Sequence, residues 1–370
     1  MKTNDISDVL YTAFDLGSTK WVLAFSDGRR QRPRVVTIDA RNLKALDQEV
    51  SLAKQKLGLP ARVPVRSCYE AGRDGFWLHR VLERQRWDNL VVDPGSLERP
   101  AKKKRAKTDR LDATQLMDRL IRHHRGEVVW SVVHVPDEAT EDIRRVERER
   151  ERLKLEMGGI RSRIWSVLAL HGVGKASRTF PALDLVCDPS GRPLPKHALA
   201  ELKRDYERYE LLARQAAELA VERKGAASEK PRIRRTYEAL HLLKGVGELS
   251  AFVLATESFG WRDFQNTRQV GASVGLAPTP HRSDQTGKEL GINKAARPKV
   301  RSLMVQLAWL WLRHQPGSDL TRWFNDRFLP GGGRAKRVGI VALARKLYVA
   351  LWKYITHGEV PNGALLKPAT

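Results

Sequence analysis

The sequence predicts an α/β domain followed by a helical remainder. Three observations carry that expectation. Up to about residue 128, short apolar runs alternate with amphipathic stretches. Between Ile143 and Ala220, apolar residues recur in three- and four-residue steps, the heptad spacing of packed helices. Beyond Arg232 the chain reads as compact helices joined by glycine- and proline-rich turns. The implied organisation is a domain over residues 1–128, a coiled-coil-like helical connector over 129–231, a helical domain over 232–362 and a tail over 363–370, expected to be disordered.

The elements follow in order. Apolar runs at Val9–Leu16, Trp21–Ser26 and Val35–Ile38 suggest an antiparallel opening group. Arg41–Lys56 has helical spacing, Val63–Glu70 reads as a strand and Gly75–Arg84 as a helix. Asn89–Asp93 is a further strand, broken by Pro94-Gly95. A helix is expected over Asp109–Arg122, with the Thr108 hydroxyl capping its first-turn N–H groups. Glu127–Val135 is apolar enough for one more strand, and Pro136-Asp137-Glu138 starts a long helix.

That helix carries Ile143, Val146, Leu153, Met157, Ile160, Ile164 and Val167 on one seam, interrupted only by Arg150. Gly158-Gly159 weakens it, since glycine costs about 1 kcal/mol relative to alanine in a helix. The charges of Arg144–Arg152 read as mostly a solvated face. His171-Gly172-Val173-Gly174-Lys175 reads as a helix stop and Pro181–Pro195 as a loop. A second helix over His197–Lys224 has Leu202, Tyr206, Tyr209, Ala213, Ala216 and Ala220 at heptad spacing. The two helices would form a hairpin or meet a second protomer, and Gly225–Pro231 reads as a flexible linker.

In the helical remainder, Leu242-Leu243-Lys244-Gly245-Val246-Gly247 precedes the small, apolar run Leu249–Ala255. This is the wording of a helix-hairpin-helix, whose Gly-x-Gly turn aims backbone N–H groups at a phosphate. Lys244, Gly245 and Gly247 are therefore candidate nucleic-acid contacts. Trp309, Trp311, Trp323, Phe324, Phe328, Tyr348 and Trp352 lie mostly in apolar helical stretches, where core packing competes with base stacking. Gly331–Arg337 reads as a basic loop.

Composition narrows the partners. The 370 residues hold 67 Lys and Arg against 43 Asp and Glu, a formal charge of +24. That balance favours a polyanion, and with no membrane span or signal peptide expected, nucleic acid is the default partner. Cys68 and Cys187 have no zinc-ligand spacing and suggest no disulfide framework, which fits a reducing cytoplasm. Cys68 is expected in a buried strand.

Chemistry concentrates around Lys107-Thr108-Asp109-Arg110-Leu111-Asp112-Ala113. Asp109 and Asp112, three apart, share one helix face, and the cations Lys102, Lys103, Lys104, Arg105 and Lys107 lie just upstream. Asp15 and Glu70 stand at or near strand carboxyl ends, where open α/β sheets form their sites. Four hard oxygen donors from three segments suit Mg²⁺ or Mn²⁺, and two such ions about 3.5–4 Å apart can serve both attacking and leaving oxygens. Asp15-Leu16-Gly17-Ser18-Thr19 also resembles the first phosphate loop of sugar kinases and actin-like ATPases, but their later motifs are not evident.

Asp15, Glu70, Asp109 and Asp112, with the Lys-Thr-Asp-Arg-Leu-Asp-Ala wording, resemble the DEDD transposases of one insertion-sequence group, the IS-one-ten type. A second stretch extends the likeness to most of the chain. Gly275-Leu276-Ala277-Pro278 leads into His281-Arg282-Ser283-Asp284-Gln285-Thr286-Gly287-Lys288 and then Gly291-Ile292-Asn293-Lys294. The resemblance implies an RuvC-like, ribonuclease H-like amino-terminal domain with Asp15, Glu70, Asp109 and Asp112 as metal ligands. It also implies a carboxy-terminal domain whose serine attacks DNA to form a phosphoserine link. Counted from Pro278 and from Gly291-Ile292, that serine is Ser283; the family's usual serine–glycine pair is absent, so Thr286, just before Gly287, is a rival. Arg282, Lys288 and Lys294 are then candidate DNA contacts.

The same resemblance implies donor and target DNA as substrates, a non-coding bridge RNA as guide, a homodimer or homotetramer, and a bacterial or archaeal cytoplasm close to the nucleoid. Two other classes are compatible with the residues. One is a metal-dependent nuclease that uses water and the four acids alone. The other is a nucleic-acid binder whose acids are remnants.

Overall fold

The computed structural model describes residues 8–30, 32–97, 109–174, 179–276, 278–283, 286–292 and 297–368; for residues 109, 110, 278–283 and 286–291 it describes the backbone alone. The chain forms two compact units, Met1–Val135 and Pro136–Thr370.

The first unit is a five-stranded sheet between helices. Strands β1 (Leu10–Leu16), β2 (Lys20–Ser26) and β3 (Arg34–Asp39) run antiparallel, as the apolar runs suggest. Strands β4 (Val65–Glu70) and β5 (Asp88–Val92) join β1 in parallel, giving the order β3-β2-β1-β4-β5. The β1–β2 turn depends on Gly17: a Cβ there would lie 2.4 Å from the Lys20 carbonyl oxygen. The Asp-Leu-Gly wording thus has a hairpin-closing role.

Period-two alternation assigns each sheet face. Leu10, Phe14, Trp21, Leu23 and Tyr69 are buried beneath helices α1 (Leu43–Leu57) and α2 (Trp77–Arg84). Tyr11, Ala13, Val22 and Cys68 are buried beneath α3 (Asp109–His124), through Ala113, Leu116, Met117 and Leu120. Each large side chain so buried contributes about 1.5–3 kcal/mol. The strand expected at Glu127–Val135 is reduced to one antiparallel bridge, Val92 with Val132, beside β5. Val128 is fully exposed, so only part of that apolar run finds a partner.

In the second unit, α4 (Glu138–Leu170) runs unbroken through Gly158-Gly159, where a Cβ would meet nothing. It packs along α5 (Lys196–Ala226) within the same chain. The pair is antiparallel: Arg163 joins Asp205 at one end and Glu147 joins Arg223 at the other. Ile164 and Leu202 bury together, as the heptads suggest, with Leu168 buried where the spacing points to Val167. Arg145, Arg148, Glu149 and Arg152 are exposed, as the charge run suggests. Arg144, Glu147 and Arg150 are the exceptions, buried because their three-residue spacing lies on the inward stripe. Arg150 breaks the apolar seam only in name, since it is held by Glu147 at 2.8 Å.

The remaining helices are α6 (Pro231–Leu242), α7 (Glu248–Leu254), α8 (Thr267–Ser273), α9 (Pro298–His314), α10 (Asp319–Phe328) and α11 (Gly332–His357). A π-helical turn, Ala255–Phe259, continues α7, and a hairpin of β6 (Pro278–Ser283) and β7 (Thr286–Ile292) precedes α9. Leu240, Leu254, Met304, Trp311, Leu347 and Tyr348 mark the core. Three loop expectations are corrected here. Residues 225–231 are not a flexible linker: α5 runs to Ala226, α6 starts at Pro231, and the tight turn between them has Ala226 and Ala227 buried. The basic run Arg334–Arg337 lies in the first turns of α11. The stretch from Gly363 to Lys367 is seated, not disordered: Leu366 bridges Leu243, and Lys367 bonds the His241 and Val246 carbonyls.

Candidate functional site

Asp15 and Glu70 are brought together by strand pairing. Phe14 of β1 is in register with Tyr69 of β4, so the next residues, Asp15 and Glu70, end adjacent parallel strands. Each follows its strand's alternation onto the α3 face, two residues beyond Ala13 and Cys68 respectively. Both line one cavity of about 170 Å³.

Helix α3 brings the other two acids to the same end of the sheet. Its carboxyl end lies at the start of β1, where the Tyr11 hydroxyl meets the His124 ring. Its middle lies at Cys68, whose Sγ is 3.9 Å from the Leu116 carbonyl oxygen. The helix therefore runs opposite to β1 and β4. Asp112 is one helical turn before Leu116, roughly 6 Å, while Glu70 is two strand residues beyond Cys68, roughly 7 Å. The two acids are thus level. Asp112 is half-buried, and the backbone of Asp109 opens the helix one turn earlier. Among the described side chains, no three His, Cys, Asp or Glu lie close enough to hold a metal. The Asp109 side chain is outside that set.

A third carboxylate in the cavity was not expected from the sequence. The side chain of Asp74 is 5% exposed and accepts from Arg41 at 2.7 Å and Arg73 at 2.9 Å. It holds two half-exposed guanidinium groups at the rim of an acidic cavity. The signal in Glu70-Ala71-Gly72-Arg73-Asp74-Gly75 is a charged turn directly after a strand end, but Arg41 comes from a separate loop and leaves no such trace.

The cations Lys102, Lys103, Lys104, Arg105 and Lys107 lie outside the described residues, as do Thr108 and Lys294. Ser283 ends β6 and is paired directly with Thr286, the first residue of β7. Both candidate nucleophiles therefore occupy the hairpin tip, and the intervening Asp284-Gln285 lies outside the described residues. Arg282 pairs with Gly287 and Lys288 with His281 in the same ladder; their side chains lie outside the described set.

The Gly-x-Gly turn joins α6 to α7 as its wording suggests. Gly245 has φ +91° and sits against His314, where a Cβ would be 3.1 Å from that residue's Cβ. Two turn N–H groups are used internally, Lys244 to Leu365 and Val246 to Leu243. Gly247 caps a helix of seven residues.

Arg297 belongs to a buried charge cluster that sequence reading missed. Arg297, just before α9, donates to the Glu257 carbonyl oxygen at 2.5 Å. The Glu257 carboxylate, in the π-helical turn, accepts from Arg144 at 2.5 and 2.9 Å and from Arg148 at 3.0 and 3.1 Å. Burial alone would raise its pKa, but the hydrogen bonds and charges of Arg148 and Arg144 outweigh that and hold it at about 2. Burial lowers Arg297 to about 10. The ring of Trp261 lies under Arg144, Arg262 and Arg297, within 6 Å of each.

Of the aromatic candidates, Trp311, Phe324, Tyr348 and Trp352 are core residues, whereas Trp309 is half-exposed. Trp323 is partly exposed on α10, with the Lys346 ammonium 4.7 Å from its ring. No helix among the described residues is long and apolar enough to cross a membrane.

Residues 237–321 match the family model described as Transposase IS116/IS110/IS902 family. Over 97% of its length the chain is 37% identical to the putative transposase y4rJ of Sinorhizobium fredii, covering 94% of that protein. It is 29% identical to the transposase for insertion sequence element IS1328 of Yersinia enterocolitica, over 46% of this chain and 50% of that one. A third relative, the transposase for insertion sequence element IS1533 of Leptospira borgpetersenii, is 25% identical over 82% of this chain and 84% of its own.

Proposed function

Because the chain belongs to the IS116/IS110/IS902 family of insertion-sequence transposases, we propose that it cuts and rejoins DNA through Ser283, assisted by Asp15, Glu70, Asp109 and Asp112. The observation that carries this reading is the shared cavity of Asp15 and Glu70 at the strand ends towards which the amino terminus of α3 points. The sheet order, with an antiparallel opening and acids on the two central parallel strands, supports an RuvC-like assignment for the first unit.

The donors are carboxylate oxygens without histidine or cysteine, which fits Mg²⁺ or Mn²⁺ better than a softer ion. Asp15, Glu70, Asp109 and Asp112 would hold it. When bound, a divalent cation supplies charge neutralisation at phosphoryl oxygens and favours an ionised attacking hydroxyl. The chain's own groups supply the remainder. Arg41 and Arg73, held by Asp74, offer guanidinium N–H groups for a phosphate near the cavity rim. The Ser283 oxygen forms the new bond to phosphorus, its proton passes to a base, and a sugar oxygen leaves as a strand-end hydroxyl. Attack by a second hydroxyl then releases the serine, so the bond energy is kept and no ATP is needed. The acids belong to the first unit and the serine to the second, so the reaction draws on both.

A formal charge of +24 supports nucleic-acid substrates. The proposal extends to a bridge RNA that pairs with donor and target DNA, to a homodimer or homotetramer, and to action at the bacterial or archaeal nucleoid. The test is a trapped reaction on denaturing gels, with mass spectrometry of the DNA-linked peptide. Wild type and Thr286→Ala should both yield an adduct at residue 283, and Ser283→Ala none. An adduct on Thr286, or strand cleavage with no adduct, rejects the assignment, and the second outcome favours a water-using nuclease.

A further inference from the structure

A groove of the second unit, about 1080 Å³, has a composition that the serine chemistry does not account for. Its apolar lining residues include Leu320, Trp323, Val338, Val341 and Val349. Its charged lining residues are Arg268, Arg334, Arg337, Arg345, Lys346 and Lys353, with no acid among the described lining residues. Lys353 is 3.7 Å from Glu359, which does not line the groove.

The pattern along α11 explains the mixture. Arg334, Arg337, Val341, Arg345, Val349 and Lys353 follow three- and four-residue steps, so cations and small apolar residues share one stripe. From Arg334 to Lys353 the stripe runs about 28 Å along the helix axis. Val338 is 61% exposed on it, an uncovered apolar residue between cations. An apolar groove lined by cations of one sign is a poor match for a neutral protein surface, which would leave those charges unpaired. Unpaired nucleic acid has the matching surface, with apolar base faces and an anionic edge. Sequence-tolerant single-strand sites combine a basic track with a flat apolar platform, over as few as about four nucleotides.

Position selects the occupant. Leu276 and Ile292, which flank the β6–β7 hairpin, both line the groove. The hairpin that carries Ser283 at its tip therefore rises from the groove's edge, five strand residues or roughly 17 Å from foot to tip. We propose that the α11 groove binds single-stranded DNA, seating about four unpaired nucleotides of the strand that Ser283 attacks. The occupant's identity as that strand rests on the proposed serine chemistry; the binding itself does not.

The test reads binding by the full chain, without divalent metal, so cleavage plays no part. Fluorescence anisotropy would compare a labelled duplex with a four-thymine gap, the same duplex without a gap, and a uridine RNA of equal length. The Arg334→Gln/Arg337→Gln/Lys353→Gln protein should lose at least tenfold in affinity for the gapped duplex. Its log–log salt slope should be shallower by about 2, near 0.7 for each single-strand phosphate no longer neutralised. The ungapped duplex and the RNA should change less than threefold. If the triple variant does not melt cooperatively, Val338→Glu, at an exposed position, should give the same selective loss. A loss confined to RNA overturns the proposal in favour of a guide-RNA site. Unchanged binding of all three probes overturns it in favour of a second protein copy on the groove. Loss of the Ser283 adduct assignment with the gapped-duplex effect intact would leave the groove standing and remove only its link to chemistry.

Discussion

Replacing Glu257 with glutamine keeps the shape of the side chain and removes its charge. The carboxylate is 7% exposed and faces Arg144, itself 10% exposed, and Arg148, which is half-exposed. Its pKa falls from 4.5 to about 2. Each unit corresponds to about 1.4 kcal/mol, so the charged form contributes about 3 kcal/mol. The contribution of Arg148 is partly screened, which places the value at the lower end of the roughly 3–5 kcal/mol seen when one partner of a buried ion pair is removed. A folded-state pKa below the unfolded one means the stabilisation is complete above about pH 4.5 and is lost as pH falls towards 2. In a unit of this size, 3 kcal/mol corresponds to a Tm lower by roughly 6–12 °C. Scanning fluorimetry of wild type and Glu257→Gln at pH 7.5 should show that gap, and the gap should close between pH 4.5 and pH 2.5. A difference under about 2 °C at pH 7.5, or one that persists unchanged at pH 2.5, would refute the assignment of Glu257 as the buried charge that ties the π-helical turn to α4.

The other expectations concern separate parts of the chain. Asp15→Asn, Glu70→Gln, Asp109→Asn and Asp112→Asn should each abolish strand cleavage in a gel assay while filter binding of DNA stays within a few-fold, because affinity comes mainly from Lys and Arg; near-normal cleavage by Asp112→Asn would remove it from the site. Changing Lys102, Lys103 and Lys104 to glutamine should flatten the salt dependence of nucleic-acid binding by about 0.7–0.9 for each phosphate that is no longer neutralised, read from titrations at several salt concentrations. Gly245→Ala should destabilise the second unit by about 1–3 kcal/mol, since φ +91° is unfavourable for any side chain and the new methyl meets His314; a chemical melt unchanged within error would contradict this.

The sequence made visible what depends on local pattern. Period-two apolar runs marked β1 to β5. Chain direction was harder, because nothing in the wording says that α3 runs against β1 and so brings Asp112 level with Glu70. The buried charges at Arg144, Glu147 and Arg150 were misread for a related reason. A charged run looks solvated until its partners are known, and those partners, Glu257 and Arg223, lie 113 and 76 residues away. Asp74 with Arg41 was hidden in the same way. The seated carboxyl end was missed because its anchor is a lysine, Lys367, whose bonds go to backbone carbonyls that any residue would present.

The π-helical turn after α7 has a consequence for which substitutions the chain tolerates. Every residue from Ala251 to Gly260 is buried, although an ordinary surface helix would turn some of them to water. With neighbours on every side, no direction of the segment is neutral ground. Gly260 shows the limit, because a single added carbon would lie 2.5 Å from the Ala255 carbonyl oxygen. A saturation screen across these ten positions should therefore lack the usual three-to-four-residue rhythm of permissive sites. Drift that freely rewrites the outer faces of α4 or α5 would leave this stretch nearly fixed, a short core text preserved while the helices around it are reworded.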